Sequence, residues 1–248
     1  MKRFGLVGGR LGHSFSKSYF EQKCAVLGLD DCCYSLFEIP SVEGLREWVR
    51  REGVSGFNVT APYKVSVVAQ LDGLDALARE IGAVNCVSVE DGRLIGHNTD
   101  APAFAQTIED EKFACAFVLG TGGAARAVAY ALEQKGIPYR FVSRHPDRHA
   151  NTIGYDQLPT SQPLNLSTLI VNATPVGMFP DAGRSPLDLS LLSSRLPPSA
   201  LVYDLVYNPS PTLFLRQAAA LGARVKDGLE MLHRQADLSW EFFKVNGL

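Results

Sequence analysis

Apolar and polar positions along the chain alternate in blocks that predict strands connected by helices. Before residue 100, short apolar runs rich in β-branched or aromatic residues are typical of buried strands, and the segments between them carry apolar residues at helical spacing. The predicted elements are a strand at 3–8, a helix at 16–28, a strand at 32–39, a helix at 41–52, a strand at 56–60 and a helical segment at 65–80 with a glycine break. This order indicates parallel strands with helical crossovers.

The same alternation begins again after residue 100. The apolar run FACAFVLG at 113–120 leads into an alanine-rich stretch at 121–136, which predicts a strand followed by a helix that Gly136 ends. The polar, proline-containing segment at 145–167 predicts an irregular crossover. The remaining predicted elements are strands at 137–143, 168–174 and 200–206 and a last amphipathic helix at 228–245.

Two blocks of this kind predict an α/β protein with two domains. The first is an N-terminal α/β domain formed by residues 1–100 and 226–248, because the aromatic end of the last helix is expected to pack against another surface. Residues 101–225 are predicted to form a Rossmann-like domain with a parallel sheet.

Composition excludes several classes of protein. Of the 248 residues, 46% are hydrophobic and 20% charged, as in ordinary globular proteins. The 24 basic and 26 acidic side chains nearly cancel, so no broad surface for nucleic acid is expected. No apolar run is long enough to span a bilayer, and Arg10 interrupts the N-terminal patch before a signal-peptide core forms. Five cysteines without CxxC spacing predict reduced thiols in the cytoplasm.

The glycine-rich segment GTGGAARA at 120–127 is the strongest local signal for a ligand. Gly120, Gly122 and Gly123 lie between a predicted strand and a predicted helix, where backbone must approach a pyrophosphate closely. The free N–H groups at the start of the helix would bind the phosphates. Glycines also occur in plain tight turns, but the strand–turn–helix context favours dinucleotide binding.

The end of the next strand bears on the choice of dinucleotide. NAD-specific sites usually place an acidic residue there, whereas this chain reads FVSRHPDR at 141–148. Arg144 and Arg148 could clamp a 2′-phosphate through bidentate, charge-assisted hydrogen bonds. Alternatively, both arginines solvate a surface loop or pair with Asp147. The residue types favour NADP over NAD.

If the bound dinucleotide delivers a hydride to a ketone, the protein also needs a proton donor beside the carbonyl oxygen. The candidates are Lys64 in NVTAPYK and Asp100 in HNTD, because a nearby carboxylate can orient a lysine in a closed cleft. Considered alone, a lysine at such a position is more often a surface charge.

Eight segments of the chain, in order from Gly5 to Gln235, resemble motifs of the shikimate dehydrogenase family. They are GLVGGRLGHSFSKSYF (5–20), NVTAPYK (58–64), GAVNCV (82–87), HNTD (97–100), GTGGAARA (120–127), NATPVGM (172–178), YDLVYNP (203–209) and GLEMLHRQ (228–235). The resemblance implies NADP-dependent, reversible reduction of 3-dehydroshikimate to shikimate in aromatic amino-acid (chorismate) biosynthesis.

The resemblance also implies roles for individual residues. Lys64 and Asp100 would be the catalytic pair. The implied substrate-binding residues are Ser14, Ser16, Thr60, Lys64, Asn85, Asp100, Tyr207 and Gln235, with the serines on the substrate carboxylate; Tyr207 could instead be a packed hinge aromatic. The implied cofactor-binding residues are Gly120, Gly122, Gly123, Ala124, Ser143, Arg144, Arg148, Thr174, Val206, Gly228 and Met231. Hydroxyl and amide side chains suit a small polyhydroxylated acid, whose buried oxygens each need a partner.

The sequence departs from the family pattern at three places. Lys17 stands where proline is common, Ala61 where a larger apolar residue is usual, and Ser143-Arg144-His145 where Asn-Arg-Thr is usual. None of these changes removes a predicted catalytic group. The third one alters the neighbours of the predicted phosphate-binding arginine, so it bears on the NADP preference.

Two other functions remain open from the sequence. One is a quinate/shikimate dehydrogenase with relaxed cofactor use, and the other is a non-catalytic, NADP-responsive binding or regulatory protein on the same fold. The expected partner is a small-molecule substrate, with no nucleic acid, no membrane and a monomeric or homodimeric state. His13, His97 and His233 lack the spacing of metal ligands, so no metal is predicted.

Overall fold

The computed structural model describes residues 2–12, 15–158, 167–189, 196–197 and 199–244. The chain divides into two compact units, here called the first unit (residues 1–100 and 234–248) and the second unit (residues 101–233). The predicted return to the first domain at residue 226 differs from this division, which falls after His233. A short strand, Arg224–Lys226, is the last strand of the second unit's sheet.

The first unit is built on a mixed six-stranded sheet with the order β2-β1-β3-β5-β6-β4. Its elements are β1 (Lys2–Gly8), α1 (Ser16–Val26), β2 (Cys32–Glu38), α2 (Leu45–Glu52), β3 (Val54–Val59), a 3₁₀ turn (Ser66–Gln70), β4 (Gly73–Leu74), α3 (Ala76–Ile81), β5 (Cys86–Glu90) and β6 (Arg93–His97). Strands β2, β1 and β3 are mutually parallel, as predicted, and are joined by α1 and α2.

No strands were predicted for the second half of this sheet, which is formed by β5, β6 and β4. Strand β5 runs antiparallel to both β3 and β6. The turn between β5 and β6 consists of Asp91 (φ 51°) and Gly92 (φ 77°), the pair of left-handed residues that a two-residue hairpin requires. Asp-Gly between two alternating apolar runs is a hairpin signal that the sequence contained.

Two apolar clusters in the first unit involve different helices. One joins Trp48 and Val49 of α2 to Phe57 and Val59 of β3. The other joins Phe4 of β1 and Phe20 of α1 to the C-terminal residues Trp240 and Phe243. A Cβ atom at Gly56 would lie 2.8 Å from Cδ1 of Phe243, so this close approach requires glycine.

The second unit contains a six-stranded, fully parallel sheet with the order β12-β11-β10-β7-β8-β9. Its elements are α4 (Asp100–Thr107), β7 (Cys115–Leu119), α5 (Gly123–Gln134), β8 (Tyr139–Val142), 3₁₀ turns (Pro146–Arg148 and Tyr155–Gln157), β9 (Thr152–Ile153), β10 (Thr168–Asn172), β11 (Leu201–Asp204), α6 (Leu213–Ala220), β12 (Arg224–Lys226) and the start of α7 (Leu229–Lys244), whose residues from Arg234 onward belong to the first unit. Numbered from β7, this is the Rossmann order 3-2-1-4-5-6, which confirms the predicted fold class.

No helix in the described ranges is long and apolar enough to cross a membrane. The helix predicted at 121–136 is α5, and the one predicted at 228–245 is α7. The segment 159–166 of the predicted irregular crossover lies outside the described residues, and its described part consists of the two 3₁₀ turns and β9.

Candidate active site and nucleotide-binding turn

Side chains predicted to bind substrate lie at one edge of the first sheet. Parallel strands β1, β3 and β6 end at this edge, and the antiparallel strand β5 begins there. Residues that follow β1, β3 or β6, or precede β5, are therefore brought to the same edge. The predicted residues at these positions are Ser16 after β1, Thr60 and Lys64 after β3, Asn85 before β5, and Asp100 after β6.

Lys64 and Asp100 form a close ion pair, as the sequence predicted. Lys64 Nζ donates to Asp100 Oδ2 at 2.6 Å. The Asp100 side chain is 5% exposed and that of Lys64 20%, so the pair has little competition from water. The Lys64 carbonyl accepts from the N–H of Val84 at 2.7 Å, which anchors the backbone beside the pair.

Asn85 holds the other oxygen of Asp100. Its Nδ2 donates to Asp100 Oδ1 at 2.9 Å and to Thr99 Oγ1 at 2.8 Å. Its Oδ1 accepts from the N–H of Thr99 at 2.7 Å. Gln235, on α7, places Oε1 3.4 Å from the same Nδ2. The structure thus brings Asn85, Asp100 and Gln235 together, and each carboxylate oxygen of Asp100 has a fixed donor.

The other predicted substrate residues are placed as follows. Ser16 is the first residue of α1 and is buried, while Thr60 is half-buried and donates its N–H to the Val7 carbonyl at 2.9 Å. Tyr207 is half-buried and belongs to the second unit. Ser14 and His13 lie outside the described residues.

The glycine turn lies at the switch point of the parallel sheet, where the strand order reverses between β7 and β10. Gly120 follows β7 with φ +104°, a conformation that favours glycine, and its N–H donates to the Val142 carbonyl. A Cβ atom on Gly120 would lie 3.0 Å from Cγ2 of Thr174, the second residue after β10. Ligands of doubly wound sheets bind in this position, outside the carboxyl ends of the strands.

The start of α5 is open to a ligand. Gly122 is its N-cap, Gly123 its first residue, and a Cβ atom on Gly122 would meet no other atom within 4 Å. Backbone N–H groups at such a helix start can bind phosphate oxygens. The half-buried Ala124 follows them in the first turn. This geometry fits the pyrophosphate of a dinucleotide.

A buried network, not predicted from the sequence, supports Thr174. Asn172 Oδ1 accepts from the N–H and the hydroxyl of Thr174 at 3.0 and 2.7 Å. Asn172 Nδ2 in turn donates to Asp204 Oδ1 at 2.8 Å. Asp204 also accepts from the hydroxyl of Thr212 at 2.7 Å and from the N–H of Val206 at 3.0 Å. Desolvation by burial raises the pKa of Asp204 to about 6, although the hydrogen bonds from these donors lower it.

The raised pKa of Asp204 gives a pH-dependent prediction for Asp204→Asn. A carboxyl whose pKa rises on folding, here from 3.8 to about 6, favours the folded state while protonated and loses that contribution as the pH passes 6. The free energy of unfolding of the wild type, relative to Asp204→Asn, is therefore expected to fall by about 2 kcal/mol between about pH 4 and about pH 7.5. Urea unfolding at both pH values measures it. A difference that does not change with pH contradicts the prediction.

The remaining predicted cofactor residues lie after strands of the second sheet or at the start of α7. Ser143 follows β8, and its Oγ accepts from the N–H of His145 at 3.1 Å. Arg144 and Arg148 are exposed, so neither is committed to the core. Gly228 donates its N–H to the Val206 carbonyl at 3.4 Å, and a Cβ atom on Gly228 would lie 2.1 Å from the Leu205 carbonyl oxygen. Met231 is buried on α7.

His97 makes structural contacts within the first unit. Its Nδ1 lies 2.8 Å from Asp75 Oδ2, its Nε2 lies 3.0 Å from Ser88 Oγ, and its ring stacks on Phe242. Among the described residues, no group of three histidine, cysteine or acidic side chains is arranged to hold a metal ion.

A parallel sheet of this order with a glycine turn at its switch point defines a dinucleotide-binding protein of the Rossmann class. A sequence profile described as the shikimate dehydrogenase substrate binding domain matches residues 6–87. The shikimate dehydrogenase (NADP(+)) of Caldanaerobacter subterraneus subsp. tengcongensis is 33% identical over 99% of this chain and 92% of its own length. The chain belongs to the shikimate dehydrogenase family.

Solved structures match 98–100% of the chain. Shikimate dehydrogenase 1 from Peptoclostridium difficile has a TM-score of 0.88 and 34% identity, covering 100% of this chain and 93% of that one. Shikimate 5-dehydrogenase from Thermus thermophilus, solved with NADP(H) and shikimate, has a TM-score of 0.84 and 35% identity, covering 99% and 94%. A quinate dehydrogenase from Corynebacterium glutamicum in complex with NAD has a TM-score of 0.80 and 27% identity, covering 98% and 94%.

Proposed function

We propose that this chain is an NADP-dependent shikimate dehydrogenase, which reversibly reduces 3-dehydroshikimate to shikimate in aromatic amino-acid biosynthesis. The observation that carries the proposal is the hydrogen-bonded pair of Lys64 and Asp100, 2.6 Å apart at the polar edge of the first sheet. Membership of the family supports the reaction, and the pair supplies the groups that the reaction needs.

Lys64 is the proton donor or electrostatic stabiliser in this proposal. Reduction of the ketone carbon leaves negative charge on the oxygen, and a positioned ammonium both stabilises that charge and can supply a proton. Asp100 accepts a hydrogen bond from Lys64 and orients it, while Asn85 keeps the carboxylate from rotating. In the oxidation of shikimate the same groups take the hydroxyl proton, because the reaction retraces its path.

The hydroxyl and amide side chains at the same edge bind the rest of the substrate. Ser14 and Ser16 anchor the carboxylate, and Thr60, Asn85 and Gln235 contact ring hydroxyls, with Tyr207 as a further substrate contact. Asn85 and Gln235 already converge with Asp100 in the structure, which supports this assignment. A buried polyhydroxylated acid needs a partner for each oxygen.

The cofactor site of the proposal is the glycine turn with its surroundings. Gly120, Gly122, Gly123 and Ala124 receive the pyrophosphate, and Ser143, Arg144 and Arg148 bind the 2′-phosphate. Thr174, Val206, Gly228 and Met231 complete the site. When bound, NADPH supplies the hydride. The open space around Gly122 and the left-handed φ of Gly120 support the fit.

Assays of shikimate oxidation with NADP and with NAD test the function directly. We expect NADP to be reduced in the presence of shikimate, with a kcat/KM at least about tenfold above that with NAD, because guanidinium groups favour the 2′-phosphate. The absorbance of the reduced nicotinamide measures both rates. Absence of turnover with shikimate and either cofactor would refute the proposal.

A quinate/shikimate dehydrogenase is the second candidate, because a quinate dehydrogenase bound to NAD shares the fold. Substantial rates on quinate with NAD would favour it. A non-catalytic NADP-responsive protein is disfavoured by the intact Lys64–Asp100 pair, and tight NADP binding without turnover on either acid would favour it. We further propose a cytoplasmic, monomeric or homodimeric enzyme, consistent with five free cysteine thiols.

A further inference from the structure

A continuous series of buried hydrogen bonds in the first unit joins the predicted carboxylate anchor to the Lys64–Asp100 pair. Its members, here called the buried polar chain, are Ser16, Tyr34, Asn58, Ser239, Thr99 and Asn85. Each of them is less than a tenth exposed. Buried polar groups make a site more rigid only if each of them has a hydrogen-bond partner.

Tyr34 connects Ser16 to the rest of the chain. The Tyr34 hydroxyl donates to Asn58 Oδ1 at 2.9 Å, and the side chain of Ser16 hydrogen-bonds the same hydroxyl. The Tyr34 ring stacks on Phe20 with the ring centroids 4.4 Å apart. Burial raises the pKa of Tyr34 well above its ordinary value, so the phenol keeps its proton and remains a donor.

Ser239, on α7, is the branch point. Asn58 Nδ2 donates to Ser239 Oγ at 2.8 Å, and the Ser239 hydroxyl donates to the Gln235 carbonyl at 2.8 Å. A serine hydroxyl has only one proton. The contact of 3.1 Å between Thr99 Oγ1 and Ser239 Oγ is therefore donated by Thr99.

The direction of the last hydrogen bonds in the buried polar chain follows from the same count of hydroxyl protons. Because Thr99 gives its proton to Ser239, its oxygen accepts from Asn85 Nδ2 at 2.8 Å. The second proton of the Asn85 amide points to Asp100 Oδ1 at 2.9 Å. Each donor along the buried polar chain thus has one direction, and the chain ends on the carboxylate that orients Lys64.

We propose that Tyr34 and Ser239 are positioning residues that hold Asn85 and Asp100 in place beside Lys64. The inference rests on the proposed function. The reacting oxygen of the proposed substrate must lie beside the Lys64 ammonium, so the carboxylate that orients Lys64 must itself be held in place. Tyr34 acts through Asn58, and Ser239 acts through Thr99 and Asn85, so neither needs to touch the substrate itself.

Kinetics of Tyr34→Phe and Ser239→Ala test the proposal. Tyr34→Phe keeps the stacked ring but leaves Asn58 Oδ1 without its donor, so kcat for shikimate oxidation is expected to fall about fivefold, with KM for shikimate changed less than about threefold. Ser239→Ala leaves Thr99 without its acceptor and loosens Asn85 and Asp100, so kcat is expected to fall at least about tenfold. KM for NADP is expected to stay within about twofold in both, because that site is built from other residues.

Ser88→Ala is the matched control. Ser88 and Ser239 are both fully buried in the first unit, but the Ser88 hydroxyl contacts Glu90 and His97 and is no member of the buried polar chain. Its kinetic constants are expected to stay within about twofold of the wild type. In the double variant Tyr34→Phe/Ser239→Ala, the loss of kcat/KM is expected to be smaller than the product of the two single losses, because both break one chain.

The possible results separate this inference from the proposed function. If the wild type oxidises shikimate while Tyr34→Phe and Ser239→Ala behave like Ser88→Ala, the role proposed for the buried polar chain is wrong and the proposed function stands. Equal losses of kcat in all three variants, matching the loss of folded protein and with KM unchanged, also overturn that role. A wild-type chain that neither oxidises shikimate nor gains thermal stability from it overturns both.

Discussion

Replacing Lys64 by alanine is expected to lower kcat for shikimate oxidation about 10³-fold, because general acid–base groups typically contribute 10²–10⁴. KM for NADP is expected to stay within about twofold, since the glycine turn and the arginines belong to a separate unit of the chain. Steady-state kinetics measure kcat and KM for NADP, and calorimetry measures the binding of NADP. Wild-type activity in this variant would contradict the role of Lys64.

Loss of Lys64 also has a structural effect that must be separated from catalysis. Asp100 is 5% exposed, so removing its cationic partner leaves a buried carboxylate without compensation, at a cost of about 3–5 kcal/mol. The double variant Lys64→Met/Asp100→Asn removes both charges and keeps similar volumes. It is expected to recover most of the lost stability in urea unfolding while remaining inactive. Exposed Lys112, changed to alanine, serves as the surface control.

The parallel parts of both sheets were predictable because their signals are local. A buried parallel strand is a short apolar run, and a helix after a glycine turn has its own periodicity, so β7, Gly120 and α5 could be recognised together. Gly120 adopts a positive φ, which glycine tolerates best, and a glycine after a strand is what marked the turn in the sequence. Catalytic pairing of Lys64 with Asp100 came from the family resemblance, and the strand ends explain why the two residues meet.

The hairpin of β5 and β6 was missed for a different reason. Its turn, Asp91-Gly92, was present, but no strands were predicted on either side of it. The 3₁₀ turn at Ser66–Gln70 and the short strand β4 replace the predicted helix at 65–80 over most of its length, and only α3 is α-helical. Short elements of this kind are fixed by tertiary contacts more than by propensity.

The polar networks behind both sites could not be predicted from local sequence. Tyr34 and Asn58 occupy ordinary strand positions, and Ser239 an ordinary position in an amphipathic helix, so nothing local distinguishes them from packing or surface residues. Their hydrogen bonds join residues as far apart as Asn58 and Ser239. Asp204 likewise becomes notable only once Asn172 and Thr212 surround its carboxylate. Such networks emerge from the topology of the sheet.

Replacing both Arg144 and Arg148 by alanine is expected to raise KM for NADP about 10- to 100-fold, because a charge-assisted hydrogen bond contributes about 1.5–3 kcal/mol. KM for NAD is expected to change less than about threefold, since NAD has no 2′-phosphate to lose. Both side chains are exposed, so their removal leaves the core of the second unit intact.

Arg140→Ala is the matched control for the arginine pair, because Arg140 is an exposed arginine on β8, the strand that leads to Arg144. Its removal takes away one positive charge from the same unit, against two in the double variant, without touching the turn after the strand. If long-range attraction of an anionic cofactor were the main effect, Arg140→Ala would raise KM for both cofactors by as large a factor per charge removed as the double variant does. If the 2′-phosphate is bound locally, only the loss of Arg144 and Arg148 separates NADP from NAD, and equal weakening of both cofactors in that variant contradicts the assignment.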